Sequence, residues 1–327
     1  MSESIEITSS SSKIIMPSQE DLEREMSRFR NKMKYSTSME FVDKSSDYGQ
    51  VDAYFHDVAN RYDSDLNNPY WAFSHDLLKH LINTSVKNHF DETDPIHLFD
   101  AGGGTGNWSK YVLDNYGNSD AVLFDRNTSM LTVAQQKLRD HRLSIKYTEG
   151  NLEEYGDFPH QKPNLIFCFN CPIGFARDTE KVLENLYQHL ETGGLALLTA
   201  PNKFHAFNFV CQTQQDQREL ARIALDGTVK FKQEMPEIFC YTPQEFKDMI
   251  LDAGFADVQV FGYPVTMYPE KGDTKHLKAT TINDILHNPI FREQALALEK
   301  RLCLNPENAY KGGANLFAIA KKLPSNV

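Results

Sequence analysis

The chain has 327 residues, of which 40% are hydrophobic and 24% are charged, and its formal net charge is −11. This amount of apolar material can build a substantial core, which excludes wholesale disorder. The excess of acidic over basic residues disfavours a protein that binds nucleic acid by neutralising its phosphates. No apolar run approaches the roughly 20 residues that a membrane span needs.

The first 90 residues are predicted to comprise a tail and a helical segment. Residues 1–16 are polar and contain the serine run 9–12, so we expect disorder there. Because this stretch lacks the basic-then-apolar layout of a secretory signal, we expect a cytoplasmic protein. Apolar residues at spacings of three and four predict helices within 17–90. This helical segment either packs on the body of the protein or forms a lid over a pocket.

From Ile96 onward, apolar strand-like runs alternate with amphipathic helices in the domain 91–327. The alternation predicts an α/β fold: a doubly wound, Rossmann-like sheet of seven strands with right-handed crossovers. The predicted strands are 96–100, 121–125, 143–148, 165–170, 195–200, 258–265 and 316–320. Two mainly helical stretches, 203–240 and 267–314, are too long to be simple connections, so we expect them to be cap insertions.

The turn after the first of these strands carries the strongest functional signal. From Asp100 the chain reads D-A-G-G-G-T-G-N. Glycine is needed where the backbone bends sharply and approaches a ligand closely, and the free N–H groups of the following helix start favour an electron-rich ligand. Asp125, which closes the next strand, offers a carboxylate to both hydroxyls of a ribose. Together these features predict an adenosine-type cofactor at the switch point of the sheet.

The glycine spacing indicates which cofactor this is. Dinucleotide binders need G-x-G-x-x-G, but Asn107 stands at the third glycine position and the glycine falls one residue earlier. The segment resembles the first motif of the class I S-adenosylmethionine-dependent methyltransferases, in particular the small-molecule, ubiquinone-biosynthesis-like branch. Gly193-Gly194-Leu195 and the run 241–246 match later motifs of that family, so the likeness extends over about residues 51–323.

The resemblance implies S-adenosylmethionine as cofactor and a set of residues that bind it. Asp125 matches the family's ribose-binding acid, and Asn151 stands at the adenine-binding place, where most relatives carry Asp. Asn170, which ends the fourth strand, is expected to hold the ammonium or carboxylate of the cofactor. The complete set of expected cofactor-binding residues is Asp100, Gly102, Gly103, Gly104, Gly106, Asn107, Asp125, Arg126, Asn151, Leu152 and Asn170.

Three side chains are candidates for the chemistry itself. His205, just past the fifth strand, could be a general base with a pKa near neutrality, although a histidine in a loop is more often only solvated. Tyr62 and Trp71 could present aromatic faces to the sulfonium, although ordinary helix packing also explains them. No metal is expected, because the single C-x-x-C pair Cys168 and Cys171 lacks the two further ligands that a structural zinc needs.

Three functions stay open on the sequence alone. The first is methylation of a small-molecule substrate enclosed by the insertions, with no nucleic-acid or membrane partner. The second keeps the cofactor and changes the reaction, for example by cyclising its aminocarboxypropyl arm to azetidine-2-carboxylate with release of methylthioadenosine. The third is a non-catalytic binding subunit on the same fold. The acceptor atom and the oligomeric state are not predicted.

Overall fold

The computed structural model describes residues 7–9, 12–14, 48–154, 161–170, 172–213, 217–231, 234–267 and 282–324. The chain divides into two units, 1–44 and 45–327. In the first unit, where the sequence predicts a disordered tail, Ile7–Ser9 and Ser12–Ile14 pair as antiparallel strands. Of the predicted helical segment 17–90, residues 17–47 and the lid hypothesis for them lie outside the described residues.

Strands and helices are interleaved along the chain, and each kind is numbered in chain order. The strands are β1 (Ile7–Ser9), β2 (Ser12–Ile14), β3 (Ile96–Ala101), β4 (Ser119–Asp125), β5 (Ile145–Glu149), β6 (Leu165–Cys168), β7 (Leu195–Pro201), β8 (Thr228–Val229), β9 (Ile238–Phe239), β10 (Ala256–Tyr263) and β11 (Asn315–Lys321). The helices are α1 (Tyr48–Val58), α2 (Pro69–Lys87), α3 (Asn107–Asn115), α4 (Thr128–Lys137), α5 (Pro172–Phe175), α6 (Thr179–His189), α7 (Lys203–Thr213), α8 (Gln217–Asp226), α9 (Pro243–Asp252), α10 (Ile282–Leu286) and α11 (Pro289–Leu302). Short 3-10 helices cover Ala59–Asn67, Arg139–His141 and Pro306–Tyr310.

The second unit is built on a seven-stranded sheet in the order β10-β11-β7-β6-β3-β4-β5. β3 lies parallel to both of its neighbours, β4 and β6, while β11 runs antiparallel to both β7 and β10. The chain therefore starts in the middle of the sheet and winds outward in both directions. The predicted Rossmann-like fold is confirmed, and its switch point lies at the carboxyl end of β3, where ligands of such sheets bind.

Helix α2 belongs to the core of this unit rather than to a separate lid segment. Asn68 caps it, accepting hydrogen bonds from the backbone of Tyr70 and Trp71, and Pro69 occupies its first turn. Its apolar face, including Phe73 and Leu77, joins the same hydrophobic cluster as strands β3 and β6. Residues 48–90 belong to the same unit as the sheet, while the domain boundary predicted near residue 90 stays a prediction.

The opposite face of the sheet carries a second core, in which α6 and α9 pack against the strands. Helix α9 begins with a capping box: the Thr242 hydroxyl accepts from the backbone N–H of Glu245, whose side chain accepts from the N–H of Thr242. The first insertion contains α7 and α8 and also the two-residue strands β8 and β9, which the sequence did not predict. Among the described residues, no helix is long and apolar enough to cross a membrane.

Candidate functional site

The loop between β3 and α3 presents one of its glycines to open space. Gly104 has φ +55°, and a Cβ added there would meet no atom within 4 Å. Its N–H donates to Asp125 Oδ2 at 2.9 Å, while Asp125 Oδ1 accepts from the N–H of Asn127 at 2.8 Å. Burial raises the pKa of Asp125, and these two backbone bonds offset part of the rise. The carboxylate therefore shapes the loop as well as facing the ligand side.

At the other three glycines of the loop, side chains from other parts of the protein occupy the space that a Cβ would need. A Cβ on Gly102 would lie 2.4 Å from Cγ of Pro172, and one on Gly106 would lie 2.7 Å from Cδ1 of Leu138. A Cβ on Gly103 would lie 2.7 Å from Cγ of Asp100. These glycines allow the loop, α4 and α5 to pack closely, so only Gly104 has the open surroundings that a close ligand approach requires.

Asp100 does not reach the ligand side, contrary to the sequence-based prediction. The carboxyl is buried, and its Oδ2 accepts hydrogen bonds from the backbone N–H of Ser109 at 3.0 Å and from the Ser109 hydroxyl at 2.6 Å. Burial raises its pKa to about 6, against the lowering effect of those bonds. Asp100 thus ties the start of α3 to β3 and positions the loop from behind.

A cavity, here called the loop cavity, opens beside Gly104. It is lined by nine of the eleven predicted cofactor-binding residues, namely Gly102, Gly103, Gly104, Asn107, Asp125, Arg126, Asn151, Leu152 and Asn170. Asp100 and Gly106 do not line it, because the first bonds to Ser109 and the second faces Leu138. The candidate site is thus assembled from the carboxyl ends of β3, β4, β5 and β6, as parallel-sheet topology requires.

Helix α1 is fastened over the loop cavity by interactions that the sequence analysis missed. Asp52 forms an ion pair with Arg126, 2.8 Å from Nε, and its backbone carbonyl accepts from Asn127 Nδ2 at 3.0 Å. The guanidinium of Arg126 also lies 3.8 Å from the ring centroid of Tyr48. Arg126, predicted to bind cofactor, therefore holds α1 in place. No sequence signal links these residues, since they lie more than 70 positions apart.

A second fastening joins the 3-10 helix 59–67 to the glycine loop. Asp63 accepts hydrogen bonds from Thr105 Oγ1 at 2.7 Å and from Asn107 Nδ2 at 2.8 Å, and it pairs with Lys137. Burial would raise the pKa of Asp63, but these partners outweigh it and hold the pKa below its usual range. Both polar atoms of the Asn107 side chain are therefore hydrogen-bonded within the protein, since Nδ2 donates to Asp63 and Oδ1 accepts from Lys137.

A second cavity of about 620 Å³, here called the insertion cavity, adjoins the first. The two share lining residues, namely Phe55, Tyr62, Asn107, Asn170 and Phe175. The other lining residues of the insertion cavity are Tyr54, Leu66, Asn68, Tyr70, Trp71, Ser74, His75, Leu78, Pro201, His205, Phe209, Phe231, Met235, Ile238, Tyr263, Asn283, Ala314 and Asn315. Within the described part of the chain, this lining contains no Asp, Glu, Lys or Arg.

The three predicted catalytic residues border these cavities in different ways. Tyr62 lines both, whereas Trp71 and His205 line only the insertion cavity. His205 lies on α7 and is buried, which lowers its pKa to about 4, so the predicted pKa near neutrality is wrong. The imidazole is neutral at physiological pH and stacks near Phe231, with ring centroids 6.1 Å apart. The catalytic roles of all three stay predictions.

Asn170 stands where the two cavities meet. Its backbone φ of +58° is unusual for a residue other than glycine. Strand β6 ends at Cys168, two residues earlier than predicted. The N–H of Asn170 donates to the Thr199 hydroxyl on β7 at 3.0 Å, which holds the residue in this conformation. A strained backbone conformation persists only where the surrounding structure enforces it. Here the conformation places Asn170 at the junction between the two cavities.

Comparisons with known proteins agree with this geometry. A family model described as a methyltransferase domain matches residues 98–194, which include the glycine loop and Asp125. The ubiquinone/menaquinone biosynthesis C-methyltransferase UbiE of Proteus mirabilis is 26% identical over 236 residues, which is 66% of this chain and 87% of that protein. A malonyl-[acyl-carrier protein] O-methyltransferase of Ilyobacter polytropus is 29% identical over 49% of this chain and 56% of its own length.

Among solved structures, the plantazolicin methyltransferase BamL superposes with a TM-score of 0.51 at 14% identity, over 88% of this chain and 100% of that one. At this identity the likeness supports the fold alone. The family model and the sequence relatives support the predicted resemblance to class I S-adenosylmethionine-dependent methyltransferases of the ubiquinone-biosynthesis-like branch. The protein is a transferase whose cofactor is S-adenosylmethionine.

Proposed function

We propose that this enzyme methylates a small, uncharged and mainly apolar molecule held in the insertion cavity. The observation that carries the proposal is the lining of that cavity, in which aromatic and aliphatic side chains alternate with amides and hydroxyls and, among the described residues, no formal charge occurs. A charged acceptor placed there would lose its hydration without gaining an opposite charge, at a cost of several kcal/mol. The volume of about 620 Å³ suits an enclosed metabolite.

The loop cavity fits S-adenosylmethionine on its own structural features. Gly104 leaves open space beside the backbone, and Asp125 is an acceptor for ribose hydroxyls at the end of β4. Asn151 and Leu152, which follow β5, provide an amide and an apolar contact for the adenine. When bound, this cofactor supplies an electrophilic methyl group on a sulfonium, so the protein needs mainly to align the acceptor and exclude water.

The chain's own residues can perform those tasks. Tyr62, Phe55 and Phe175 line both cavities, so they enclose the boundary that the methyl group crosses. Aromatic faces there suit a sulfonium. Two imidazoles border the acceptor side: His205, and His75, whose pKa burial lowers to about 4. Both are neutral at physiological pH and can accept a hydrogen bond from an acceptor hydroxyl within reach, but a pKa of about 4 makes each a weak general base.

The names of the relatives support this choice without specifying the acceptor. The UbiE proteins are C-methyltransferases of ubiquinone and menaquinone biosynthesis, which supports a small-molecule acceptor here. The cyclisation alternative has no comparable support, because a reaction within the cofactor has no use for a second cavity of about 620 Å³. A non-catalytic subunit would not need a second cavity of this volume either.

Paired acceptors test the proposal. The purified enzyme would be incubated with methyl-labelled S-adenosylmethionine and pairs of phenolic compounds that differ only in charge, such as a hydroxybenzoate and its methyl ester. We expect mass spectrometry to detect labelled product from the neutral member and none from the charged one. Methylthioadenosine and azetidine-2-carboxylate accumulating above the spontaneous background without any acceptor would instead establish the cyclisation reaction. Product from only the charged members would overturn the proposed acceptor class.

A variant separates the acceptor site from cofactor binding. Ala314 lines the insertion cavity but not the loop cavity, and Ala314→Asp would place a carboxylate among its apolar walls. We expect this variant to bind S-adenosylhomocysteine as tightly as wild type by calorimetry and to lose turnover of neutral acceptors. Ala314→Val, of similar bulk without charge, serves as the matched control. Equal turnover by the Asp and Val variants would contradict an uncharged acceptor site.

A further inference from the structure

Asn315 begins strand β11 at the edge of the sheet where the two cavities lie. Side chains of successive residues in a strand point to opposite faces of the sheet. Leu316 belongs to the core on the face of α6 and α9, whereas Phe317 belongs to the core that contains α2. Asn315 therefore faces the same side as Phe317, and it lines the insertion cavity but not the loop cavity.

The side-chain amide of Asn315 makes no hydrogen bond to any described residue. Three other asparagines of the same lining, Asn68, Asn107 and Asn283, use side-chain atoms in hydrogen bonds to protein groups. Asn315 is partly buried, yet the polar atoms of its side chain keep accessible surface. A ligand in the insertion cavity can therefore reach a donor and an acceptor that the described protein groups leave unused.

Asn315 stands two strands away from the junction between the two cavities. Strand β7 lies between β11 and β6, and Asn170 follows β6 at that junction. Pro201 of β7 and Tyr263 of β10 stand opposite Asn315 in the strand register, and both line the insertion cavity. Because neighbouring strands are about 4.8 Å apart, β11 lies roughly 10 Å from β6. An acceptor whose reacting atom lies at the junction therefore extends along this row of residues toward Asn315.

The chemistry of the amide defines the group that it recognises. A carboxamide donates through its NH2 group and accepts through its oxygen, so it pairs with a neutral carbonyl or hydroxyl group. We propose that Asn315 is a specificity-determining residue that hydrogen-bonds a carbonyl or hydroxyl oxygen at the end of the acceptor remote from the methylated atom. This inference rests on the proposed function and adds a second oxygen group to the proposed acceptor class.

Biphenyl probes of matched shape test the inference, since two linked rings span the distance along the row. Each probe carries a 4-hydroxyl group at one end. In the first pair the 4′ substituent is acetyl or isopropenyl, and in the second pair it is hydroxymethyl or ethyl, so the members of a pair differ by one oxygen. Calorimetry on protein saturated with S-adenosylhomocysteine measures their binding without requiring turnover. We expect the oxygen-bearing member of at least one pair to bind about 3- to 10-fold more tightly. The pair that shows this preference identifies the recognised oxygen as carbonyl or hydroxyl.

A variant assigns this preference to Asn315. Asn315→Leu removes the amide and keeps a side chain of similar size, so we expect it to abolish the preference. Its Kd for S-adenosylhomocysteine should stay unchanged, because Asn315 does not line the loop cavity. Asn118→Leu is the matched control, since Asn118 is exposed and lines neither cavity, and it should keep the wild-type preference. If Asn315→Leu does not fold, Asn315→Ala provides the same comparison.

The possible outcomes separate this inference from the proposed function. Equal binding within both pairs by wild type, or a preference that survives in the Asn315 variant, would overturn the role of Asn315 and leave the proposed function intact. Binding of none of the four probes would also overturn the inference. The proposed function would fail with it only if the phenolic pairs described above also gave no labelled product from a neutral member.

Discussion

The loop cavity and the insertion cavity lie side by side, yet they are built in opposite ways. The loop cavity draws most of its polar groups from short segments at the carboxyl ends of four neighbouring strands, β3 to β6, with further polar groups from α1 and the following 3-10 helix. The insertion cavity draws its walls from α2, α7, the segment around β9, the end of β10, α10 and the start of β11. The lining of the loop cavity contains charged, hydrogen-bonded side chains, whereas the described lining of the insertion cavity contains no charged side chain.

Under the proposed function, the two cavities would hold the cofactor and the acceptor separately. A constant ligand can be held by a motif whose geometry follows from one strand, one turn and one helix start. The proposed acceptor site is instead lined by side chains from segments that lie far apart in the sequence. Variants that affect one cavity and leave the other intact therefore test whether this separation is real.

The largest effect is expected at Gly104. A valine there would have to adopt φ +55°, which a β-branched residue strongly disfavours, and its side chain would fill the space beside the loop. We expect binding of S-adenosylhomocysteine to weaken by at least about 100-fold in calorimetry. Gly193→Val is the matched control, because Gly193 also has positive φ and open surroundings but lines neither cavity. Similar losses in both variants would mean that backbone strain, rather than the cavity, causes the effect.

The next effect concerns Asp125. Asp125→Ala removes the ribose acceptor and also the bonds to Gly104 and Asn127, so we expect binding to weaken by about 1.5–3 kcal/mol, roughly 10- to 150-fold. Asp120→Ala, at the exposed start of the same strand, should leave the Kd unchanged. Unaltered binding in the Asp125 variant would contradict the position assigned to the ribose.

A pH-dependent effect is expected from His205 in the insertion cavity. Its pKa is about 4 in the folded protein, so the unfolded state binds the proton more readily as the pH falls below about 6.5. The stability that this group contributes is complete above pH 6.5 and is lost between pH 6.5 and 4, with about 2 kcal/mol gone at pH 5. His205→Phe should therefore lose less stability than wild type between pH 7 and pH 5, as measured by chemical denaturation at each pH.

Other groups with shifted pKa values, among them His75 and Asp100, act in the same pH range and remain in both proteins of that comparison. His75 also has a pKa lowered to about 4 and contributes in the same direction. Asp100, whose pKa burial raises to about 6, acts oppositely, because the folded state gains its proton first as the pH falls. The difference between wild type and variant isolates His205, and equal pH dependence in the two proteins would contradict a buried neutral imidazole.

The smallest effect is expected at Asp63, which joins the 3-10 helix to the glycine loop. Because this carboxylate is about one-third exposed, its ion pair with Lys137 is partly screened. We expect Asp63→Ala to destabilise the protein by about 1 kcal/mol and to weaken cofactor binding by less than about fivefold. Glu307→Ala, in a more exposed pair with Lys311, should change neither quantity. A large loss of binding would mean that Asp63 governs the loop geometry.

The amino-acid sequence by itself determined the sheet, the glycine loop and the class of cofactor. Alternating apolar periodicity and the run from Asp100 to Asn107 are local patterns, and each strand, turn and helix start acts over a few residues. For the same reason, Asp125 could be assigned to the ribose from its place at the end of a strand. Even within this motif, however, the sequence did not distinguish Gly104 from its neighbours, because that distinction depends on Pro172 and Leu138.

Only the tertiary structure decided how the site is enclosed and what it can accept. Asp52 pairs with Arg126, Asp63 with Lys137, and His75 stacks on Trp108 across distances in sequence that no periodic pattern encodes. The low pKa of His205 likewise follows from burial among side chains of other segments. Residues that are neighbours in the sequence determine local chemistry. Desolvation, packing and the absence of charge are properties of a surface that forms only when the chain folds.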